Sequence, residues 1–208
     1  MTDHAPQACD LIIEAGWVVP VVPHGVVLAD HAVVVSGGAI VAVLPIAEAR
    51  AGFQAKQIVS RPDAALIPGL VNAHTHNPMT LLRGVADDLP LKVWLQEHIW
   101  PIEGAVIGPG FVADGVTLAI AEMLRGGTTC CNENCGARVG LQVIDFATAW
   151  ASSDDEYFDR AGEVHDQWRD DALIRTAFAP HAPYTVNDAN FERVRMLADQ
   201  LDVPVHLH

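Results

Sequence analysis

From Leu66 to His76 the chain reads Leu-Ile-Pro-Gly-Leu-Val-Asn-Ala-His-Thr-His, an apolar run ending in two histidines one residue apart. Its texture predicts a short buried strand set off by a Pro-Gly break. Side chains alternate faces along a strand, so His74 and His76 point to one side and Thr75 to the other. Two imidazoles held together on a rigid strand end form half of a metal site, because neutral imidazole suits zinc and similar divalent ions. His-x-His alone is weak evidence; the strand beneath it is what gives it weight.

The residues on either side differ in texture. Residues 1–65 carry short β-branched or apolar runs, at 11–13, 17–19, 26–28, 32–35 and 57–59, broken by Gly16, Pro23, Gly25 and Gly37-Gly38. They predict a small all-β, sandwich-like unit with a hairpin at Gly37-Gly38 and a helical turn after Pro45. Nothing in that unit has the look of a site. Residues 77–110 show little periodicity and predict a loop-rich excursion forming a lid or wall over a site. An amphipathic helix over residues 112–125 follows, with Val112, Val116, Ala119, Ile120, Met123 and Leu124 on its apolar face and Gly126-Gly127 as its stop.

Strands then alternate with helices. Strands are expected at 128–131, 139–146, 174–181 and 203–208, and helices from Asp154 to about Trp168 and from Asn187, as N-cap, to Leu201. Such alternation indicates βα units around a parallel sheet. The histidines His74, His76, His181 and His206 all fall at strand ends. In a β/α barrel those ends open onto one face, where the active site sits. A metal-dependent barrel enzyme is the expected result, with domains over 1–65 and 66–208. His4, His24, His31 and His165 lie off the pattern and are expected at the surface.

Charge and cysteine content narrow the class. With 12 Lys and Arg against 26 Asp and Glu, the net charge is −14, so the chain lacks the basic footprint that nucleic acid or an anionic membrane requires. No signal-peptide pattern and no apolar run of membrane-spanning length is visible. Cys9, Cys130, Cys131 and Cys135 show no disulfide spacing, which fits a reduced, cytoplasmic protein.

The run Pro68-Gly69-Leu70-Val71-Asn72-Ala73-His74-Thr75-His76 resembles the amidohydrolase superfamily, in which a β/α barrel is joined to a small β domain. Residues 79–91, Trp94-Leu95, residues 99–103 and Ala179-Pro180-His181-Ala182-Pro183-Tyr184-Thr185 resemble the 5′-methylthioadenosine/S-adenosylhomocysteine deaminases among them. The resemblance implies that His74, His76 and His206 bind one divalent metal, most simply Zn2+, with His208 as the rival to His206. It implies that Glu103 binds the ribose hydroxyls and that His181 contacts the substrate. The implied reaction is hydrolytic deamination of an adenine nucleoside to the hypoxanthine nucleoside and ammonia. Guanine or cytosine deamination, triazine dechlorination, and a non-catalytic metal- or nucleoside-binding fragment are the alternatives.

The sequence departs from that family in two ways. The proton-shuttling glutamate and the metal-binding aspartate of the family match nothing up to His208. The chain is therefore expected to be an N-terminal fragment, holding about the first five strands of an incomplete barrel and inactive alone. The partner is expected to be a small nucleoside, with a possible homo-oligomer of the full-length protein. The stretch 132–138 is also too short for a parallel crossover, which takes about a dozen residues.

Overall fold

The computed structural model describes residues 5–133, 140–141, 154–180, 183 and 186–207. The chain divides into two compact units, Met1–Gly69 and Leu70–His208.

In the first unit, strands β1 (Gln7–Val18), β2 (Leu28–Ser36), β3 (Ala39–Pro45) and β4 (Phe53–Leu66) form one sheet in the order β3-β2-β1-β4. β1 pairs antiparallel with β2 and parallel with β4, and helix α1 (Ile46–Gly52) lies between β3 and β4 in sequence. Instead of the expected sandwich, the described residues of this unit make a single sheet. Ile12, Ala32, Val34, Ala49 and Cys9 form its main core, with Ala15, Val18 and Val33 in a second cluster. Each large apolar side chain buried in this way contributes roughly 1.5–3 kcal/mol.

Gly16 does not break β1. It sits at a register shift between Ala15 and Trp17, so two expected strands become one bulged strand. Gly37 and Gly38 do turn the chain: both have positive φ, 60° and 78°, and Ser36 pairs with Ala39 across them. A two-residue hairpin of this kind needs positive φ at both central positions, which glycine adopts without steric cost.

The second unit begins where residues 66–76 split. Leu66 closes β4, and a new strand, β5 (Leu70–Thr75), starts after Pro68-Gly69. β5 is not buried: Leu70 and Val71 are 51% and 67% exposed. It is hydrogen-bonded only to the parallel β6 (Thr128–Glu133) among the described residues, which leaves its other edge without a strand.

Residues 77–110 are largely helical rather than loop. A 3-10 turn (Asn77–Leu82) follows β5, and α2 (Leu91–Val93), a π-helical stretch (Trp94–Ile99) and α3 (Trp100–Val106) run on from one another. Pro101 lacks an N–H and would clash with the carbonyl four residues earlier, so the wider hydrogen bonding just before it has a local cause. α4 (Pro109–Arg125) follows and ends as expected, with Gly127 at φ 85°. Its covered stripe is displaced from the expected one: Gly115 and Ala119 are buried, whereas Ile120 and Leu124 are exposed.

β7 (Gly140–Leu141) pairs parallel with β8 (Ala177–Phe178), and Phe178 makes a parallel bridge to Val205. α5 (Asp154–Trp168) and α6 (Asp188–Leu201) pack Phe158, Ala161, Val194 and Ala198 around Phe178. Asn187 caps α6, its side chain accepting the Asn190 N–H at 2.8 Å. His165 belongs to this packing too. It is buried, with Nδ1 2.7 Å from Thr176 Oγ1, which corrects its expected place at the surface. Most of the expected strand 139–146 and of the short connection 132–138 lies outside the described residues.

Candidate metal centre

The alternation of β5 sends His74 to one face and Thr75 to the other, and His76 follows as the residue that caps the 3-10 turn. His206 reaches the same place from 132 residues away in sequence, along the segment that hydrogen-bonds to Phe178. Two backbone bonds hold that segment: Phe178 N–H to Pro204 O at 3.0 Å and His206 N–H to Phe178 O at 2.7 Å.

The three imidazoles form a chain. His74 Nε2 lies 3.1 Å from His76 Nε2, and His74 Nδ1 lies 3.1 Å from His206 Nε2. Their rings meet edge-on, with centroids 5.0 and 5.1 Å apart. A neutral imidazole offers one donor and one acceptor nitrogen, so a neutral His74 satisfies both contacts only with matched tautomers on its neighbours.

Among the described residues, His206 Nδ1 is buried without a hydrogen-bond partner. Leaving such an atom unsatisfied costs about 1–3 kcal/mol, which calls for a functional or structural reason. Burial, and secondarily the neighbouring His74, hold the His206 imidazolium below the usual histidine range, favouring the neutral form that ligates metal.

These residues fit a divalent metal in donor type. The 3.1 Å between His74 Nε2 and His76 Nε2 is close to the separation of two nitrogens each about 2.0–2.1 Å from one zinc. The set is not closed: among the described residues, no three His, Cys, Asp or Glu side chains converge on one ion position. His206 faces the far nitrogen of His74, away from the His74–His76 pair.

The other expected site residues fare differently. Glu103 lies half-buried on α3, and its carboxylate makes no hydrogen bond or ion pair among the described residues. Burial raises its pKa above the usual glutamate range. His181 and His208 lie outside the described residues. Arg83, just after the 3-10 turn, donates to Glu122 of α4 through two bonds of 3.0 and 2.6 Å. Trp94 donates its indole N–H to Val85 O.

Sequence reasoning passed over Glu133 and Asn77. Glu133, at the end of β6, is 9% exposed, and its Oε2 accepts the Asn77 N–H at 2.7 Å. The available signal was an acidic residue at a strand end beside the histidine strand. Its partner is a backbone N–H, which no sequence pattern marks.

Residues 65–208 match the amidohydrolase family. The chain is 42% identical, over 96% of its length, to a 5-methylthioadenosine/S-adenosylhomocysteine deaminase of Teredinibacter turnerae, of which it covers 48%. It superposes with a TM-score of 0.95, at 74% identity, on an adenosine deaminase from Xanthomonas campestris with bound zinc, covering 98% of this chain and 50% of that one. An atrazine chlorohydrolase from Arthrobacter aurescens, complexed with zinc and atraton, shares the fold at 17% identity and a TM-score of 0.80, over 95% of this chain and 52% of its own. The chain thus spans about half the length of the curated relatives it matches.

Proposed function

Because the chain belongs to the amidohydrolase family, we propose that it is the N-terminal part of a metal-dependent deaminase acting on adenine nucleosides of the methylthioadenosine or S-adenosylhomocysteine type. The single observation that carries this reading is the contact of His206 with His74, which also touches His76, so that imidazoles 132 residues apart in sequence come together. The deaminase named among its relatives, at 42% identity, supports the substrate class.

On this reading β5, β6, β7, β8 and the segment around Val205 are the first five strands of a β/α barrel, and the sheet of the first unit is part of the small β domain. The parallel pairings of β5 with β6, β7 with β8 and Phe178 with Val205 support that placement.

His74, His76 and His206 would hold the metal, taken to be zinc. When bound, it supplies Lewis acidity and a water that ionises near neutral pH. The chain's own residues bind and orient. Burial favours the neutral form of His206, which leaves one unprotonated ring nitrogen for ligation. Glu103, whose half-buried carboxylate has no partner among the described residues, is suited to accept two ribose hydroxyls, and His181 is assigned a second substrate contact.

The test is ammonia release from methylthioadenosine and from S-adenosylhomocysteine by the protein produced from its natural gene. Activity on at least one of them, abolished by His74→Ala along with bound zinc, is the expected result. Full activity in the zinc-free His74→Ala protein would overturn the metal assignment. Turnover of guanine or a chlorotriazine in preference to both nucleosides would overturn the substrate class.

A further inference from the structure

Resting on that metal reading, we propose that Glu133 is a positioning residue: by holding the backbone N–H of Asn77 it fixes where β5 ends and so sets the His74–His76 pair. The need for such a residue is local. His76 caps the 3-10 turn, with φ −120° and ψ 73°, and the turn's first bond runs from Met79 N–H to His76 O at 3.0 Å. Asn77 therefore presents an N–H with no partner inside its own turn, the usual condition at a helix start. Asn77 is only 2% exposed, so water does not substitute, and the carboxylate of Glu133 takes the bond at 2.7 Å.

The strand ladder does not do this job. The pairing of β5 with β6 is irregular between Asn72 and Thr75, and it resumes only at Thr75 opposite Glu133. The terminal two residues of the histidine strand are thus registered by the Thr75–Glu133 pairing and the carboxylate rather than by a continuous run of backbone bonds. Asn77 extends the tie with its side chain, accepting from Thr75 Oγ1 at 3.1 Å and approaching Cys131 Sγ at 3.8 Å. Thr75 and these contacts lie on the face opposite the imidazoles. One face of the strand end is clasped while the other is left to the ligands. Outer partners that orient metal ligands are typically worth 10–100-fold in metal affinity.

The experiment uses cobalt(II) as the probe on the full 208-residue chain, with affinity from calorimetry and ligand geometry from the visible ligand-field bands. Glu133→Met keeps the size of the side chain and removes the acceptor; Glu133→Gln keeps an acceptor oxygen. Glu133→Met is expected to weaken cobalt binding by about 10–100-fold and to shift the bands, while Glu133→Gln restores both to within about threefold of the unaltered chain. If Glu133→Met does not fold, Glu133→Asp, one methylene short of the Asn77 N–H, takes its place with the same expected loss. Unaltered affinity and bands in the acceptor-free or shortened variant would overturn the proposal, as would a Glu133→Gln protein as impaired as Glu133→Met. Failure of the unaltered chain itself to bind cobalt, or unchanged binding in His74→Ala, would instead overturn the metal reading beneath it, and the two failures are told apart by those controls.

Discussion

His206 Nε2 sits 3.1 Å from His74 Nδ1 although 132 residues separate them, so the segment after α6 is tied to the end of β5 by an imidazole contact. A metal ligated by both would bind the folded arrangement and not the unfolded chain. Zinc at about a hundred times its dissociation constant is then expected to add about 2.7 kcal/mol of stability, reversed by a chelator. Scanning calorimetry with and without zinc checks this, and His206→Ala should remove the zinc response. A response of undiminished size in His206→Ala would show that this histidine is not a ligand.

Glu103 offers a prediction in which stability and binding move in opposite directions. Burial raises its folded pKa above the ordinary value of 4.5, so the favourable contribution of its protonated form is present below about 4.5 and lost as pH rises through the folded pKa. At pH 7 the half-buried carboxylate is therefore a cost. Glu103→Gln is expected to be more stable than the unaltered protein at pH 7 and equal to it well below pH 4.5, by urea unfolding at both values. If the carboxylate binds ribose hydroxyls, the same variant loses a charge-assisted contact, and KM rises about 10–100-fold. A rise in stability with no change in KM would leave Glu103 outside the nucleoside site.

The parts legible in the sequence are those with local causes. Asn187 marks the start of α6, Gly37-Gly38 the hairpin and Gly127 the end of α4, each because a cap or a positive φ is written into one or two residues. Residues 91–106 were harder: Pro90 and Pro101 suggest breaks, yet Pro90 precedes the first helical residue and Pro101 is accommodated just after a π-helical stretch. The exposure of Leu70 and Val71 reflects which strands flank β5, a tertiary matter. His165, expected at the surface, is buried, with its ring answered by Thr176 just before β8. At the site, strand periodicity aligned His74 with His76, whereas only the fold could bring His206 to them or aim Glu133 at Asn77.

Glu14 is a buried charge in the first unit, 2% exposed on β1 and gripped by Arg50 of α1 through bonds of 2.6 and 2.8 Å. The Arg50 guanidinium lowers its pKa against the opposing effect of burial, with a smaller contribution from Ser60. A carboxyl with a depressed folded pKa stabilises above its unfolded pKa, and that stability is lost as pH falls through the folded value. Glu14→Gln is expected to cost about 1–2 kcal/mol at pH 7, where the charge-assisted pair is intact. The gap from the unaltered protein should shrink as pH falls below about 4.5, visible as converging urea midpoints. A gap independent of pH would assign the loss to packing.

Gly115 links a helix interior to the histidine strand. A Cβ at this position of α4 would lie 2.5 Å from Pro78 O and 2.7 Å from Pro78 Cα, both in the 3-10 turn that His76 caps. Because the obstructing atoms are backbone, no rotamer change relieves the contact, and either α4 or the turn must move. Gly115→Ala is expected to lose about 1–3 kcal/mol through overpacking, more than offsetting alanine's better helix propensity of about 1 kcal/mol. The displacement would reach His76 through the turn it caps, so zinc affinity should fall together with stability. Thermal unfolding and zinc titration on the same protein check both. A Gly115→Ala chain that is more stable than the original, with unchanged zinc affinity, would show that α4 yields freely and that the close approach to Pro78 places no constraint on the metal centre.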